Sequence, residues 1–145
     1  GETSAERNKM DRGAARADPN DDGPYSEIRG RDLRNGVPRE ILVSQREIAD
    51  ALIEPVSAII EAVKIALENT PPELASDIVD KGIVLAGGGA LIKNLDILLR
   101  EETGLPIMIA EDPLCAVVLG SGKALEQIDI LSNITIRKAM RSLAR

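Results

Sequence analysis

A run of three glycines is the feature that most limits how this chain can fold. The apolar residues 83–86 immediately before it predict a short buried strand. After the glycine loop 87–89, from Ala90 onward, apolar residues recur at spacings of three and four, which predicts a helix. The recurring positions are Leu91, Leu95, Leu98 and Leu99. The segment 82–99 is therefore predicted to form a strand, a glycine loop and a helix in succession.

The glycine loop suits an anion-binding site. Glycines at a helix N-terminus leave backbone N–H groups free, and no Cβ atoms obstruct a close ligand. The helix dipole adds roughly half a positive charge at that end, which favours a phosphate or a nucleotide. The spacing differs from both the G-x-G-x-x-G fingerprint and the G-K-[ST] ending of a phosphate loop. On spacing alone, a tight strand-to-helix turn that only allows close packing remains the alternative.

Length and charge restrict the class of protein. The 145 residues suffice for one domain or two small lobes, and 43% of them are hydrophobic, so a real core can form. Tyr25 is the sole aromatic residue, so this core must consist of aliphatic side chains. The net charge of −6 argues against nonspecific nucleic-acid binding, and we expect no nucleic-acid partner.

The chain has one cysteine and no histidine. Cys115 cannot form an intramolecular disulfide, which suits a reducing cytoplasm. Because it lies in an apolar stretch, we expect a buried, inert thiol rather than a nucleophile. The lack of histidine excludes His-based triads and His metal sites. No apolar run approaches the roughly 18 residues of a membrane span, and no signal peptide is evident, so we expect a cytoplasmic protein.

A helix and a polar loop open the chain. Residues 1–12 predict a helix that Thr3 or Ser4 caps, with Glu6 in its first turn. The stretch 14–25 is rich in Pro, Gly and Asp, which predicts an exposed loop.

A β-hairpin is predicted next. Residues 25–33 and 37–43 predict two strands. Asn35 and Gly36 between them tolerate positive φ and predict the hairpin turn. Pro38 weakens the second strand near its start and indicates a sheet edge.

A long helix follows the hairpin. Ser44 and Glu47 form a capping-box signature, and the helix is predicted to end near Asn69. Pro55 falls inside it, so we expect a kink or a break there. The apolar stripe consists of Ile48, Leu52, Val56, Ile59, Val63 and Leu67.

The remaining elements alternate between helix and strand. Thr70 is predicted to cap a helix that has Pro71 at its first position and Glu73 in a second capping box, and that ends near Asp80. Beyond the glycine loop, we predict a strand at 105–110 and a helix at 113–127. This βαβα order favours a layered α/β fold with parallel strands.

Several short motifs occur in a characteristic order between residues 27 and 126. They are IRGRDL (28–33), TPPEL (70–74), DKGIVL (80–85), GGGAL (87–91), EETGLP (101–106), EDPL (111–114) and GSGK (120–123). Together they resemble the C-terminal half of the MreB family of bacterial actins. The opening GETSAER (1–7) looks like the family's first helix after the nucleotide hinge. The resemblance covers nearly the whole chain.

The resemblance implies an α/β, actin-like (RNase H-like) ATPase half-domain with a layered sheet and helices and a small inserted α+β lobe. The implied parts are 1–12, a helix of the larger lobe; 13–43, part of the small inserted lobe with the hairpin; 44–127, the larger lobe; and 128–145, a C-terminal tail. The tail region 127–145 mixes apolar and basic residues. We expect it to pack against a neighbouring subdomain, with a membrane surface as the alternative.

The resemblance also implies a nucleotide site for ATP with Mg²⁺. The implied contacts are the glycine loop and the first helix, namely Gly87, Gly88, Gly89, Ala90, Glu6 and Lys9. For Glu6 and Lys9, an ordinary surface ion pair is the alternative, because residues three apart share one helix face. No catalytic residue or metal ligand is expected, since the family's β- and γ-phosphate loops have no counterpart here. We therefore expect the chain alone to bind ATP weakly, if at all, and not to hydrolyse it.

The resemblance implies the function of the parent family. Such a protein polymerises head-to-tail with ATP and directs rod shape and cell-wall synthesis, reaching the membrane indirectly through the filament or an adaptor such as RodZ. The alternative is an interaction module that docks an adaptor or a filament subunit and has a vestigial nucleotide site. A sugar kinase or chaperone of the same superfamily fits the motifs at 101–106 and 111–114 less well.

Overall fold

The computed structural model describes residues 1–131. A four-residue 3-10 turn, Gly88–Leu91, separates two of its elements. In chain order the helices and strands are α1 (Glu2–Arg12), β1 (Tyr25–Arg31), β2 (Pro38–Ser44), α2 (Gln45–Glu68), α3 (Pro72–Lys81), β3 (Ile83–Leu85), α4 (Leu95–Thr103), β4 (Ile107–Ile109) and α5 (Ala116–Glu126). Most of the tail predicted to pack against a neighbour, residues 132–145, lies outside the described residues.

α1 begins directly after Gly1, and no side chain caps it. Thr3 and Ser4 lie inside the helix, so the cap predicted there is wrong. The helix ends at Gly13, whose N–H donates to the carbonyl of Lys9 at 2.8 Å. A Cβ atom on Gly13 would collide with that carbonyl, so glycine allows the chain to leave the helix in a close turn.

The strands β1 and β2 form the predicted antiparallel hairpin. Ile28 pairs with Ile41, and Arg31 pairs with Pro38 at the end nearest the loop. Side chains therefore alternate between two faces, and both strands keep most of their apolar residues exposed.

The hairpin loop is wider than the predicted two-residue turn. The N–H of Asp32 donates to the carbonyl of Val37 at 2.9 Å, and the N–H of Gly36 donates to the carbonyl of Asp32 at 2.8 Å. Gly36 has a φ of +72°, whereas Asn35 does not adopt a positive φ. Asn35 instead accepts the N–H of Val37 through its side-chain oxygen at 3.1 Å, which stabilises the loop without a left-handed backbone.

The predicted capping box joins the hairpin to α2. The hydroxyl of Ser44 accepts the N–H of Glu47 at 3.2 Å, and the carboxylate of Glu47 accepts the N–H of Ser44 at 2.8 Å. α2 continues through Pro55, so the break expected there is absent.

The inward face of α2 differs from prediction at one position. Val56 is buried, and Leu52, Ile60 and Val63 pack against the core. Ile59, which was predicted in this stripe, is exposed. Ile60 takes its place because the spacing 56, 60, 63 follows the face that points inward.

The start of α3 also differs from prediction. α3 begins at Pro72 after Pro71, and no side chain caps it, so Glu73 completes no capping box. The hydroxyl of Thr70 donates to the carbonyl of Ala66 at 2.7 Å. Thr70 therefore satisfies a carbonyl at the end of α2 instead of capping α3.

The strands β3 and β4 are parallel, with Ile83 beside Ile107. α4 connects them, which confirms the predicted βαβ order. The N–H of Ile83 donates to the carbonyl of Pro106 at 2.8 Å. Gly82 has a φ of +78°, and a Cβ atom there would collide with the same carbonyl. Glycine at this position therefore lets the two strands approach each other.

The core lies between α2, α4 and this parallel pair. Its buried members are Ala15, Val56, Leu95, Leu99 and Ile107. The strand predicted to be fully buried is only partly so, since Ile83 and Leu85 face the core and Val84 is 57% exposed. Alternation of side chains across a sheet packed on one face explains this difference. No helix among residues 1–131 is long and apolar enough to span a membrane.

Candidate functional site

The glycine loop begins with a left-handed backbone at Gly87, whose φ is +80°. Its N–H donates to the carbonyl of Pro113 at 2.6 Å, in the turn before α5. Gly88 then opens the 3-10 turn that ends at Leu91. A Cβ atom on Gly87 or Gly89 would meet no other atom within 4 Å, so both glycines border open space.

The predicted α-helix does not begin at the glycine loop. α4 starts only at Leu95, after Asn94 with a φ of +66°. Residues 92–94 separate the turn from α4, and within them Lys93 forms an isolated parallel β-bridge with Ala14. The side-chain amide of Asn94 donates to the carbonyl of Arg16 at 3.0 Å. These contacts interrupt the helix, so the dipole of a long helix does not act at the loop.

Free backbone donors nevertheless remain at the loop. The first N–H groups of a 3-10 turn have no partner inside the turn. Within residues 1–131, those of Gly88 and Gly89 donate to no other residue. These two N–H groups can therefore bind an anion, although the electrostatic support is weaker than the sequence suggested.

Glu6 and Lys9 form an ion pair on α1. The ammonium of Lys9 donates to both carboxylate oxygens of Glu6 at 2.9 Å. Both side chains are largely exposed, so the pair contributes at most about 1 kcal/mol to stability. Taken alone, this geometry matches the surface ion pair that was the alternative for these residues.

A cleft of about 400 Å³ brings the ion pair and the loop together. Its walls are Glu6, Lys9, Met10, Gly88, Gly89, Leu91, Ile92 and Leu114. Four of the six predicted nucleotide contacts therefore line one cavity. The other two do not: Gly87 uses its N–H on Pro113, and Ala90 is buried with 4% exposure. Gly87 and Ala90 therefore stabilise the conformation of the loop without lining the cleft.

The cleft combines three kinds of surface. The N–H groups of Gly88 and Gly89 can hold a phosphate. Lys9 and Glu6 offer a cation and an acceptor to hydroxyl groups. The apolar side chains include Met10 and Leu91, both exposed in the structure. This combination is typical of sites for a ligand with one charged end and one flat apolar end.

Sequence reasoning missed the apolar part of this cleft. Met10 and Leu114 carry no local pattern that marks them as ligand contacts. The motif EDPL (111–114) was the available signal, but it served only for the family resemblance. The cleft therefore depends on a turn that is distant in sequence from both α1 and the glycine loop.

Cys115 also differs from prediction. Its side chain is exposed at the start of α5, so the expectation of a buried thiol is wrong. A hydrogen bond to Asp112 and the negative charge of that carboxylate raise the pKa of the Cys115 thiol. The thiol is accessible but is held in its less nucleophilic, protonated form.

A larger groove of about 510 Å³ lies between α1 and β1. Its wall is polar, and two of the three arginines that line it among residues 1–131 have partners. Arg12 donates to the hydroxyl of Ser26 at 3.2 Å, and Arg29 pairs with Glu40 at 2.7 Å. The groove contains none of the predicted site residues. The smaller cleft at the glycine loop is therefore the better candidate site.

Comparison with known proteins identifies close relatives. A profile of the MreB/Mbl protein family matches residues 1–133. The cell shape-determining protein MreB of Escherichia coli (strain K12) is 55% identical over 130 residues, covering 90% of this chain and 37% of that protein. The cell shape-determining protein Mbl of Bacillus subtilis (strain 168) is 48% identical over 104 residues, covering 72% of this chain and 31% of Mbl. The chain thus spans about a third of the length of these relatives.

Two solved structures are similar as well. The crystal structure of MreB5 of Spiroplasma citri bound to ADP has a TM-score of 0.81 and 39% identity, covering 88% of this chain and 38% of that one. The structure of the same protein bound to AMPPNP has a TM-score of 0.81 and 38% identity, covering 93% and 39%. This likeness confirms the predicted actin-like α/β fold class.

Proposed function

This chain belongs to the MreB/Mbl protein family, and on that premise we propose that it forms one wall of the nucleotide cleft of an actin-like, cell shape-determining protein. The ligand proposed is ATP, carried with Mg²⁺. The names of the relatives support the role in cell shape, and the ADP and AMPPNP in the similar structures support a nucleotide ligand.

The observation that carries this proposal is the meeting of α1 with the glycine loop. Glu6 and Lys9 are about eighty residues away from Gly88 and Gly89 in sequence, yet all four line the same cleft. This shared location supports a role of the ion pair in ligand binding. The proposed contacts are therefore the two N–H groups for a phosphate and the Glu6–Lys9 pair for the ribose and base.

We propose that the chain by itself binds nucleotide weakly and does not hydrolyse it. Hydrolysis requires groups that hold Mg²⁺ and orient the attacking water. Among residues 1–131, the one carboxylate in the cleft belongs to Glu6, and it is already paired with Lys9. Mg²⁺ would accordingly be bound by the phosphates of the nucleotide, which supply the oxygen ligands that it prefers.

The proposed assembly is a head-to-tail filament in which the small lobe of one subunit meets the larger lobe of the next. The proposed divisions are 1–12, 13–43, 44–127 and 128–145, as the resemblance implies. Contact with the membrane would be indirect, through the filament or through an adaptor such as RodZ. The filament would act in the cytoplasm on rod shape and cell-wall synthesis.

One observation favours the second candidate, an interaction module with a vestigial nucleotide site. No residue of α5 (Ala116–Glu126) is buried. Its exposed apolar side chains are Val117, Val118, Leu119 and Leu125. A helix with this much exposed apolar surface is expected to contact another protein surface. Nucleotide affinity separates the two candidates.

The test is a calorimetric titration of the chain with ATP and Mg²⁺, repeated with Gly89→Ala. An alanine Cβ at this position meets no atom of residues 1–131 within 4 Å. We expect it to intrude on a phosphate bound to the N–H groups of Gly88 and Gly89. We expect measurable binding by the wild type and at least about tenfold weaker binding by the variant. Gly122→Ala is the matched control, because its Cβ also meets nothing and it lies on α5, outside the cleft.

A second pair of variants tests the ion pair. Lys9→Gln removes the cleft cation, whose ion pair with Glu6 is 2.9 Å long, and Lys64→Gln breaks an ion pair with Glu102 at 2.7 Å, outside the cleft. Weaker nucleotide binding by the first variant alone supports the proposal. No binding by the wild type at millimolar nucleotide would favour the interaction module instead.

A further inference from the structure

One hydrogen bond attaches the turn before α5 to the glycine loop, and two more fix the ends of the turn. The N–H of Gly87 donates to the carbonyl of Pro113 at 2.6 Å. At the start of the turn, the N–H of Ala110 donates to the carbonyl of Leu85 at 2.9 Å. At its end, the N–H of Cys115 donates to the carboxylate of Asp112 at 3.2 Å. The turn 111–115 is therefore held in place against the loop.

This attachment brings Leu114 over the loop. A Cβ atom built on Gly88 would lie 3.5 Å from Cδ2 of Leu114, an ordinary van der Waals distance. Leu114 is 66% exposed, and it lines the cleft together with Met10 and Leu91. These three exposed apolar side chains surround one concave surface, which is the arrangement expected of a wall that a ligand covers.

We infer that Leu114 is a binding residue for the nucleotide, and that its side chain contacts the apolar face of the base while Gly88 and Gly89 hold a phosphate. The inference rests on the proposed function, because it requires a nucleotide in this cleft. It adds to the cleft a wall from a third segment of the chain, the turn 111–115. Leu114 supplies no hydrogen bond, so its contribution is the apolar area that the base and the side chain remove from water.

This role has a specific signature. Contact with the base is the same whether the ligand carries three phosphates, two or none. Loss of the Leu114 side chain should therefore weaken ATP, ADP and adenosine by a similar factor. A change at the phosphate-binding N–H groups should instead weaken ATP and ADP and leave adenosine nearly unchanged. The two kinds of contact are thus distinguishable in one set of ligands.

The experiment is a nuclear magnetic resonance titration of the chain with ATP, ADP and adenosine, because this method measures millimolar dissociation constants and also reports the fold. We expect Leu114→Ala to weaken all three ligands by about five- to tenfold, from the partial loss of one leucine contact. Leu125→Ala is the matched control: it is a leucine on α5 with 68% exposure, outside the cleft. It should bind all three ligands like the wild type.

Each other outcome has a defined meaning. Equal affinities of Leu114→Ala and the wild type would overturn the inference and leave the proposed function intact. A loss for ATP and ADP without a loss for adenosine would also overturn it, since Leu114 would then act only through the phosphate loop. No binding of any ligand by the wild type would overturn the proposed function, and the inference with it.

The adjacent cysteine offers a second readout. Cys115 is the only cysteine of the chain, it is exposed, and it directly follows Leu114. If a base covers Leu114, saturating ATP should slow the alkylation of the Cys115 thiol in the wild type. The same ATP concentration should slow it less in Leu114→Ala. If the alkylation rate of the wild type is the same with and without saturating ATP, this result counts against the inference.

Discussion

The two small sheets of this protein are stabilised in different ways. The parallel pair β3 and β4, with α4 between them, contributes Leu95, Leu99 and Ile107 to the core. In the hairpin β1–β2, the one buried residue is the polar Ser44. The hairpin is held by backbone pairing and by surface ion pairs, such as the one between Arg29 and Glu40 at 2.7 Å.

This difference separates a rigid part of the molecule from a weaker one. Exposed ion pairs contribute about 0–1 kcal/mol each, and an isolated two-stranded hairpin is marginal in water. The hairpin therefore depends on its attachments, namely the Ser44 cap of α2 and the hydrogen bond from Arg12 to Ser26. We expect it to open locally before the βαβ unit does. The candidate cleft uses the glycine loop of the rigid part and α1, which contacts α2 and β1.

The strongest test of the comparison removes one leucine from each part. Leu99 is 1% exposed, so Leu99→Ala should lower the free energy of unfolding by about 2–5 kcal/mol, through lost burial and a new cavity. Leu42→Ala in the exposed hairpin should change it by less than about 0.5 kcal/mol. Urea denaturation followed by circular dichroism measures both values. Similar losses for the two variants would contradict the distinction between the parts.

A second test compares two glycines with left-handed backbones. Gly82 (φ +78°) lies before β3, and Gly36 (φ +72°) lies in the hairpin loop. Alanine costs on the order of 1–3 kcal/mol at either position from the backbone alone. At Gly82 the new Cβ would also collide with the Pro106 carbonyl, whereas at Gly36 it meets nothing within 4 Å. Gly82→Ala should therefore lower the thermal midpoint more than Gly36→Ala, and the reverse order would contradict the close approach of the strands.

The smallest expected effect concerns pH. Arg16 donates to both carboxylate oxygens of Glu101, at 2.7 and 3.1 Å, which lowers the pKa of Glu101 below its ordinary value of 4.5. A carboxylate with a lowered folded-state pKa adds stability above its unfolded pKa and loses it as pH falls through the folded value. The wild type should thus lose more stability below about pH 4.5 than Glu101→Gln does. Urea midpoints measured across this pH range test the difference.

The hairpin provides the control for this pH effect. A hydrogen bond between Glu27 and Glu40 raises the pKa of Glu27 and lowers that of Glu40. Because the two shifts have opposite directions, the contributions of Glu27 and Glu40 to the pH dependence oppose each other. Glu27→Gln should therefore change the acid limb of the stability curve less than Glu101→Gln does. A change as large as that of Glu101→Gln would show that the two pairs do not differ as described.

Much of the fold was predictable because its signals are local. The capping box at Ser44, the hairpin and the βαβ order all depend on residues close together in sequence, and the structure confirms them. Thr70 shows where local reasoning fails. Its hydroxyl can cap the following helix or close the preceding one, and the sequence does not distinguish these hydrogen bonds.

The candidate site was predictable only in part. Glu6, Lys9, Gly88 and Gly89 line the cleft as the family resemblance implied. Asn94 was not anticipated as the residue that precedes α4, because its left-handed backbone depends on contacts with residues 14–16. The exposure of Cys115 was also misjudged, since an apolar sequence stretch does not reveal which face of the chain is covered.

By itself, the sequence determined the family, the order of the elements and the need for glycine at the loop. Periodicity, turn chemistry and motifs depend on residues that are close together in the chain. Tertiary structure alone decided that the loop opens a 3-10 turn and that α1, the loop and the turn with Leu114 share one cleft. The physical reason is that contacts between distant segments select among local conformations of similar free energy, and no local pattern contains those contacts.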